Sequence, residues 1–263
     1  METHGCEDPL VPNSPESEVR IVLLGRIGDG RSSSGNTILS KTTPFKSKVS
    51  LFAVTEKCQK KTESIGGQNV VVVDTPGMFN PKKKQEEVMK EIKKSISLAE
   101  PGPHVFLIVL NVEDTFTEEL QNMVELIRST FGKNTMAFTL VLFTHGDTLQ
   151  KTIENVIHSD PNLLDLIIQC QWNYHVFNNK EESRVEVSDQ VFNNKDESCV
   201  EVSDQVKSLL QKINSMIQTR GGGYYTKDLL EGAEKAVKEQ QEQQQQLQRG
   251  DLHHGSRPWL LRL

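Results

Sequence analysis

Residues 19–36 read VRIVLLGRIGDGRSSSGN, and this stretch decides the class of fold. Its first six residues form a largely apolar run, which is typical of a strand buried on both faces of a sheet. A glycine-rich segment follows at 25–30, and the sequence after it favours the start of a helix. The pattern therefore predicts a strand, a tight loop and a helix in succession, which is the repeating unit of an α/β domain.

Similar strand-like runs recur further along the chain, at 69–77, 104–111, 137–147 and, more weakly, 173–179. Helical patterns lie between and after them, at 86–98, 117–131, 150–170 and 206–217, the third of these interrupted at Asp160 and Pro161. A last helix is expected from Thr226 into a glutamine-rich segment. This alternation predicts a three-layer α/β fold with a mostly parallel sheet covered on both faces.

The composition narrows the class of protein. The chain has 263 residues, 35% of them hydrophobic, and a net charge of -6, which fits one α/β domain with polar segments outside its core. The acidic balance argues against a general nucleic-acid or anionic-membrane binder, so we expect no nucleic-acid partner. Cysteines at 6, 58, 170 and 199 form no CxxC pair. They predict a reduced, cytoplasmic chain. The longest apolar stretches, at 70–73 and 105–110, are far too short to cross a bilayer, so we expect attachment to intracellular membranes to be peripheral, if it occurs at all.

A tandem repeat interrupts the domain pattern. Residues 176–190, VFNNKEESRVEVSDQ, are followed directly by a near copy at 191–205, VFNNKDESCVEVSDQ. Two copies of so short a unit do not form a solenoid, which needs at least about three longer repeats. We therefore interpret the repeat as a duplication within one connection.

The first chemical motif is GRIGDGRS at 25–32, between the predicted strand and helix. A GxxxxGK[ST] loop in this position wraps a polyphosphate with inward-facing backbone N–H groups, and its final hydroxyl coordinates magnesium. Two residues depart from that pattern, since Arg31 replaces the lysine and Asp29 adds a carboxylate to an anion-binding loop. The alternative reading is a generic glycine-rich turn between a strand and a helix.

The second motif is DTPG at 74–77, which ends a predicted buried strand. An aspartate in this position holds magnesium, often through water, and the backbone N–H of Gly77 would meet the terminal phosphate. The alternative is an ordinary Asp-Pro-Gly turn. Because the motif follows the glycine-rich loop by two strand-like runs, we favour the phosphate-binding interpretation.

The third and fourth motifs contain residues suited to binding a nucleotide base. Asp147 stands where the [NT]KxD motif has its last residue, and such a carboxylate accepts hydrogen bonds from guanine N1–H and the 2-amino group. Adenine offers neither donor, so it would leave the carboxylate unpaired. Asn178, after the last strand-like run, is predicted to contact guanine. Asn193 in the second copy is the alternative, disfavoured because a polar segment precedes it.

In this order the motifs resemble those of the immunity-associated GTPases (the GIMAP or IAN family), P-loop GTPases related to septins and Toc proteins. The stretches that carry the resemblance include RIVLLGRIGDGRSSSGNTIL, VVVVDTPGMFN, TLVLFTHGDTL and GGGYYTKDLLEGAEKAV. They imply a G domain at 19–219 that contains the duplication. A helical extension would follow at 220–248, with a disordered leader at 1–18 and a tail at 249–263.

The resemblance also implies roles for individual residues. Ser47 and Thr55 match nucleotide-sensing positions of the first switch, and the ring of His145 would stack near the base plane. Magnesium would be held by Ser32, Thr55 and Asp74. The full set of implied nucleotide-binding residues is Gly25, Arg26, Ile27, Gly28, Asp29, Gly30, Arg31, Ser32, Ser33, Ser47, Thr55, Asp74, Gly77, His145, Asp147 and Asn178.

The implied activity is magnesium-dependent binding of GTP or GDP by an oligomerising switch of immune-type cells, in homo- or hetero-oligomers formed through the G domain. Met78 is apolar where Ras-like enzymes carry a water-orienting glutamine, and Asp114 and Thr115 stand where some relatives place an arginine. We therefore expect slow or assisted hydrolysis and assign no catalytic residue. The alternative, suggested by Asp29, Arg31 and the duplication, is a scaffold with impaired nucleotide binding.

Overall fold

A six-stranded sheet forms the centre of the molecule. The computed structural model describes residues 18–40, 45, 55–114, 117–178 and 203–254, with side chains up to 246. The strands are β1 Val19–Leu24, β2 Gln59–Ile65, β3 Gln68–Asp74, β4 Val105–Asn111, β5 Thr139–Thr144 and β6 Tyr174–Val176. Their order is β2-β3-β1-β4-β5-β6, with β2 antiparallel to β3 and the other pairings parallel.

Helices cover both faces of this sheet. They are α1 Arg31–Ile38, α2 Gln85–Leu98, α3 Glu118–Phe131, α4 Ile153–Ser159, α5 Pro161–Gln169, α6 Asp204–Thr219 and α7 Lys227–His254. One apolar cluster joins the sheet to α2, α3, α4 and α5, and a second joins its other face to α1 and α6. The predicted three-layer fold with a mostly parallel sheet is confirmed.

Strand β2 is a strand that the sequence pattern did not predict. It lies at the edge of the sheet, and its residues are mostly exposed, so it lacks the apolar run that marks the buried strands. It reaches β3 through a tight turn at Gly66 and Gly67, whose φ angles are 57° and 80°. Glycine adopts this left-handed backbone without steric cost, and the turn therefore sets the antiparallel pairing.

The predicted interruption at Asp160 and Pro161 is confirmed as the boundary between α4 and α5. The Asp160 side chain accepts hydrogen bonds from the backbone N–H groups of Asn162 at 2.9 Å and Leu163 at 3.2 Å, and Pro161 opens α5. Within the described residues, no helix has the length and apolarity needed to cross a membrane.

Several sequence predictions fall on other parts of the chain. The leader except Glu18, most of the duplication (179–202) and residues 255–263 lie outside the described residues. The last helix continues to His254, past the end predicted for the helical extension at 248. Its start is tied to the domain by Tyr225, which is fully buried against Phe106 and donates a hydrogen bond to the Phe131 carbonyl at 2.6 Å.

His104, next to the start of β4, predicts a pH dependence of stability. It is buried, its Nδ1 accepts a hydrogen bond from the Arg20 backbone N–H at 3.1 Å, and Arg220 lies nearby. Burial, with the charges of Arg20 and Arg220, lowers the pKa of His104 to about 4. The unfolded chain therefore binds a proton more readily, so stability is full above the ordinary pKa of about 6.5 and falls as the pH drops towards 4.

We expect the His104 contribution to the free energy of unfolding to fall by about 2–3 kcal/mol between pH 7 and pH 4. The His104→Asn variant should show a shallower loss of stability over this range in urea unfolding. His158→Asn, at an exposed histidine, is the matched control and should keep the full dependence. A His104→Asn variant with an unchanged pH profile would contradict the assignment.

Candidate functional site

The glycine-rich loop leaves the carboxyl end of β1 and lies directly beside the DTPG segment. The backbone N–H of Met78 donates to the Gly25 carbonyl at 3.1 Å, and Arg26 forms a parallel bridge with Met78. A Cβ atom at Gly77 would stand 2.4 Å from Ile27 Cγ1 and 3.1 Å from the Ile27 nitrogen, so any larger residue would force the two segments apart. The tertiary structure thus brings the two predicted phosphate motifs together at one edge of the sheet.

Asp29, the carboxylate that departs from the usual loop sequence, is turned into the protein. The residue is 2% exposed, and its side chain accepts hydrogen bonds from the Arg26 backbone N–H at 2.9 Å, Nε at 3.3 Å and Nη2 at 3.1 Å. Burial raises the pKa of the Asp29 carboxyl, while the hydrogen bonds and charge of Arg26 act against that rise. The negative charge is therefore paired within the loop itself.

Arg26 extends this ion pair towards the start of α3. Its guanidinium also pairs with Asp114 and, at 3.3 Å, with Glu119. Burial lowers the pKa of Arg26, but the bonds and charges of Asp29 and Asp114 outweigh it and the pKa is raised overall. These side chains border a cavity of about 300 Å³ that is also lined by Gly28 and Met78. The guanidinium thus connects the loop to the neighbouring helix.

Arg31 occupies the position of the usual lysine, and its side chain is held against the DTPG segment. It is 7% exposed and donates from Nη1 to the Thr75 carbonyl and, at 3.4 Å, to the Thr75 hydroxyl. Its Nε donates to the Arg26 carbonyl at 3.3 Å, and Nη1 lies 3.8 Å from Asp74 Oδ1. The cation therefore lies between the two candidate phosphate motifs and is partnered by protein oxygens.

The three residues assigned to magnesium meet beside this loop. Ser32 Oγ donates to Asp74 Oδ2 at 2.7 Å, Thr55 Oγ1 donates to the same oxygen at 2.9 Å, and the two hydroxyls lie 3.2 Å apart. Neighbouring ligands of an octahedral Mg²⁺ are separated by about 2.9 Å, given metal–oxygen distances of about 2.0–2.1 Å. The spacing and the hard oxygen chemistry of this set both fit that ion.

A second observation at Asp74 agrees with this fit. The aspartate is completely buried at the end of β3, and its Oδ1 accepts no hydrogen bond from any residue that the structure describes. A buried carboxylate oxygen without a hydrogen bond carries a desolvation cost, which a bound cation would offset. Arg31, 3.8 Å away, is the nearby positive charge in this structure.

The base-recognition candidates lie together at the next part of the same edge. His145, with a left-handed backbone at φ 60°, and Asp147, which is exposed, follow the end of β5. The Gly146 N–H donates to the Phe177 carbonyl at 3.0 Å, which brings this turn beside Asn178 at the end of β6. The structure therefore places His145, Asp147 and Asn178 on two adjacent loops.

Thr144 is a site residue that the sequence reasoning did not select. Its hydroxyl donates to the Asp29 carbonyl at 3.0 Å and lies 3.1 Å from His145 Nδ1, so it links the glycine-rich loop to the base loop. Gly30 packs so closely here that a Cβ atom would lie 3.2 Å from Thr144 Cγ2. The sequence did indicate Thr144, because it is the first residue of THGD, the position that Asn or Thr takes in the [NT]KxD pattern.

The contacts described above do not include two residues of the predicted nucleotide-binding set, Ser33 and Ser47. Ser47 lies outside the described residues, as does Asn193, the alternative to Asn178. Ser33 follows Ser32 in the first turn of α1 and is half-buried. Thr55 lies in the segment before β2, and the other predicted residues lie in the glycine-rich loop or the start of α1, in the DTPG segment or in the two candidate base loops.

Comparison with known proteins gives matches along most of the chain. A family model described as "AIG1 family" matches residues 19–191. The chain is 31% identical over 218 residues to human "GTPase IMAP family member 8", covering 82% of this chain and 30% of that protein. It is 30% identical over 240 residues to "Immune-associated nucleotide-binding protein 7" of Arabidopsis thaliana, covering 88% of this chain and 72% of the relative. The chain thus spans less than a third of the human relative's length.

Among solved structures, the fold is similar to Toc33 from Arabidopsis thaliana. The crystal structure of Toc33 in complex with GDP and Mg²⁺ has a TM-score of 0.55 at 19% identity, covering 77% of this chain and 85% of Toc33. A related structure, whose subject is the importance of dimerisation for the GTPase activity of atToc33 and psToc159, also has a TM-score of 0.55, at 20% identity and coverages of 76% and 83%. At these identities the likeness shows a shared fold, that of a GTPase G domain.

Proposed function

The chain belongs to the AIG1 family, and on that premise we propose that it binds GTP or GDP together with Mg²⁺ as a nucleotide-dependent switch. The observation that carries the proposal is the meeting of Ser32, Thr55 and Asp74 beside the glycine-rich loop. These residues come from α1, from the segment before β2 and from β3. A metal and phosphate site explains why three distant segments place oxygen atoms at one point.

Magnesium, when bound, would neutralise charge on the β- and γ-phosphates. Ser32, Thr55 and Asp74 would hold it, and the backbone N–H groups of the loop would face the phosphates. The Asp29 carboxylate in the loop would not repel a phosphate strongly, because its charge is buried and compensated by Arg26. The base end would be formed by His145, Asp147 and Asn178, with Asp147 accepting hydrogen bonds from guanine.

Hydrolysis is proposed to be slow unless a second molecule assists it. Met78 is 1% exposed and packed into the core, so it does not orient an attacking water. Asp114, which stands where some relatives place an arginine, is an acidic residue paired with Arg26. It therefore supplies no positive charge to a nucleotide bound by a neighbouring molecule. The importance of dimerisation for the GTPase activity of atToc33 and psToc159 supports an assisted reaction here, through homo- or hetero-oligomers of the G domain.

Nucleotide binding by the purified 263-residue chain tests the proposal. We expect guanine nucleotide to bind at millimolar Mg²⁺ and to bind less well when the metal is chelated, as measured with a fluorescent GDP analogue. GTP turnover per molecule should rise with protein concentration if the reaction is assisted by oligomers. Absence of binding to both GTP and GDP would contradict the proposed function.

A second function, that of a scaffold with impaired nucleotide binding, is favoured by one observation. The guanidinium of Arg31 already contacts Thr75 and lies near Asp74, where a lysine ammonium would be available to a phosphate. Arginine is planar and bulkier than lysine, so the two are not equivalent in a tight loop. In this second function, the site is assembled, but the side chain of Arg31 fills the position that a phosphate would take.

Substitution of Arg31 separates these two functions. If Arg31 serves the phosphates, Arg31→Ala should lower GDP affinity by about tenfold to a hundredfold through loss of a charged hydrogen bond, and Arg31→Lys should change it little. If Arg31 blocks the site, Arg31→Lys should instead raise the affinity strongly. Titration of all three proteins with labelled GDP gives the answer, with Lys235→Ala on the exposed face of α7 as the control.

A further inference from the structure

Gln205, in the first turn of α6, is hydrogen-bonded to both backbone groups of Asn178. The Asn178 N–H donates to Gln205 Oε1 at 2.9 Å, and Gln205 Nε2 donates to the Asn178 carbonyl at 3.2 Å. The side-chain amide thus pairs with one residue of the loop after β6 much as a neighbouring strand would. We call this pair of hydrogen bonds the Gln205 clamp.

Both sides of the clamp are anchored in the core. The Gln205 carbonyl lies 3.0 Å from Nε2 of the buried His175, and the next residue, Val206, is fully buried. On the other side, Phe177 is fully buried and its N–H donates to the Phe143 carbonyl at 2.7 Å. The clamp therefore transmits the position of α6 to the backbone at Asn178.

The same backbone is connected to the loop that carries Asp147. The Phe177 carbonyl accepts the Gly146 N–H at 3.0 Å, and Gly146 lies between His145 and Asp147. A Cβ atom at Gly146 would lie 3.3 Å from the Phe177 carbonyl oxygen, so the two loops are in close contact. Displacement of residues 177–178 would consequently disturb both proposed base-reading loops.

We propose that Gln205 is a positioning residue for guanine recognition, a role that rests on the proposed function. It does not contact the base in this arrangement; it holds the Asn178 backbone so that the base-reading groups of the two loops are in place before the nucleotide arrives. Preorganised loops lose less conformational entropy on binding, so the clamp raises the affinity for the correct base.

Because of the duplication, a deletion variant can place a second glutamine at the position of Gln205. Gln205 ends the second copy, and Gln190 is its counterpart at the end of the first, each preceded by Ser-Asp and followed by valine. Deletion of residues 191–205 joins Gln190 directly to Val206 and keeps Asn178 in place. The shortened connection still closes, because the ends that it joins are in hydrogen-bond contact. We expect Gln190 to form the clamp in this single-copy chain.

The experiment compares binding of GDP and ADP by variants of the whole 263-residue chain at millimolar Mg²⁺. ADP keeps the ribose and diphosphate but lacks the guanine groups, so the ratio of the two affinities isolates base recognition. Gln205→Ala should reduce GDP affinity by about tenfold, because the loop at Asn178 must then be ordered when the base binds, and it should leave ADP affinity nearly unchanged. Gln211→Ala, at an exposed glutamine of α6, is the matched control and should keep the ratio of the unaltered chain.

The single-copy chain completes the test. Deletion of residues 191–205 should preserve the GDP-to-ADP ratio, and the same deletion with Gln190→Ala should lower it as Gln205→Ala does. An unchanged ratio in Gln205→Ala, or equal losses for GDP and ADP, would overturn the positioning role alone. Absence of GDP binding by the unaltered chain would overturn the proposed function and the positioning role together.

Discussion

Replacement of Asp147 with asparagine is expected to weaken GDP binding by at least about a hundredfold and to create affinity for xanthosine diphosphate. Asp147 lies exposed in the turn after β5, beside the loop of Asn178, where its carboxylate would face the edge of a bound base. In the proposed site, the aspartate would accept hydrogen bonds from the N1–H and 2-amino groups of guanine. Asparagine replaces one acceptor with an N–H donor, which repels the 2-amino group.

Xanthine reverses the preference because it carries a carbonyl where guanine has its 2-amino group. The asparagine amide donates to that carbonyl, so the variant should gain binding while it loses GDP. Competition of GDP and xanthosine diphosphate against a labelled nucleotide measures both changes on one sample. Asp228→Asn, an exposed aspartate at the start of α7, should leave both affinities unchanged. A variant at Asp147 that retains its preference for GDP would remove Asp147 from the base site.

Replacement of Arg26 with alanine is expected to lower the free energy of unfolding by about 3 kcal/mol, because it leaves Asp29 buried without its counter-charge. The Asp29 side chain is 3% exposed, and Arg26 supplies its two side-chain hydrogen bonds as well as the pairing charge. The backbone N–H of residue 26 would remain as a donor, which keeps the loss from being larger.

Two companion variants separate this buried pair from the exposed ones. Glu119, with 54% of its side chain exposed, also pairs with Arg26, and Glu119→Ala should cost less than about 1 kcal/mol. In the double variant Arg26→Ala/Asp29→Ala most of the loss should be recovered, because no unpaired charge is left in the interior. Urea unfolding of the four proteins supplies the comparison. Equal stabilities for Arg26→Ala and Glu119→Ala would contradict the assignment.

The Arg26→Ala deficit should also depend on pH. Burial raises the pKa of Asp29 even with Arg26 present, and removal of that cation raises it further. A folded-state pKa above the unfolded value means that stability is complete at acidic pH and declines as the pH rises through the folded pKa. The deficit of Arg26→Ala relative to the unaltered chain should therefore be smaller at pH 5 than at pH 8.

Each strand and motif could be predicted from the sequence to the extent that its local residue pattern was distinctive. Strands such as β4 are apolar and buried at every residue but the last, Asn111, because both faces are covered, and this made them visible in the sequence. Strand β2 was missed because an edge strand with exposed residues has no such run. The loop motifs were visible for another reason, since phosphate and guanine chemistry require particular residue types at particular spacings.

The sequence by itself determined the mostly parallel α/β fold, the order of the motifs and the residue types able to hold phosphate, magnesium and guanine. Only the tertiary structure decided how those residues are paired. It buried Asp29 against Arg26, directed Arg31 to Thr75 and connected Thr144 to the Asp29 carbonyl across 115 positions. It also joined Asn178 to Gln205. Arg26 and Asp29 are only three positions apart, but the other contacts join residues 27 to 115 positions apart, so no local periodicity or propensity encodes them. They exist only once the sheet has brought its loops to one edge.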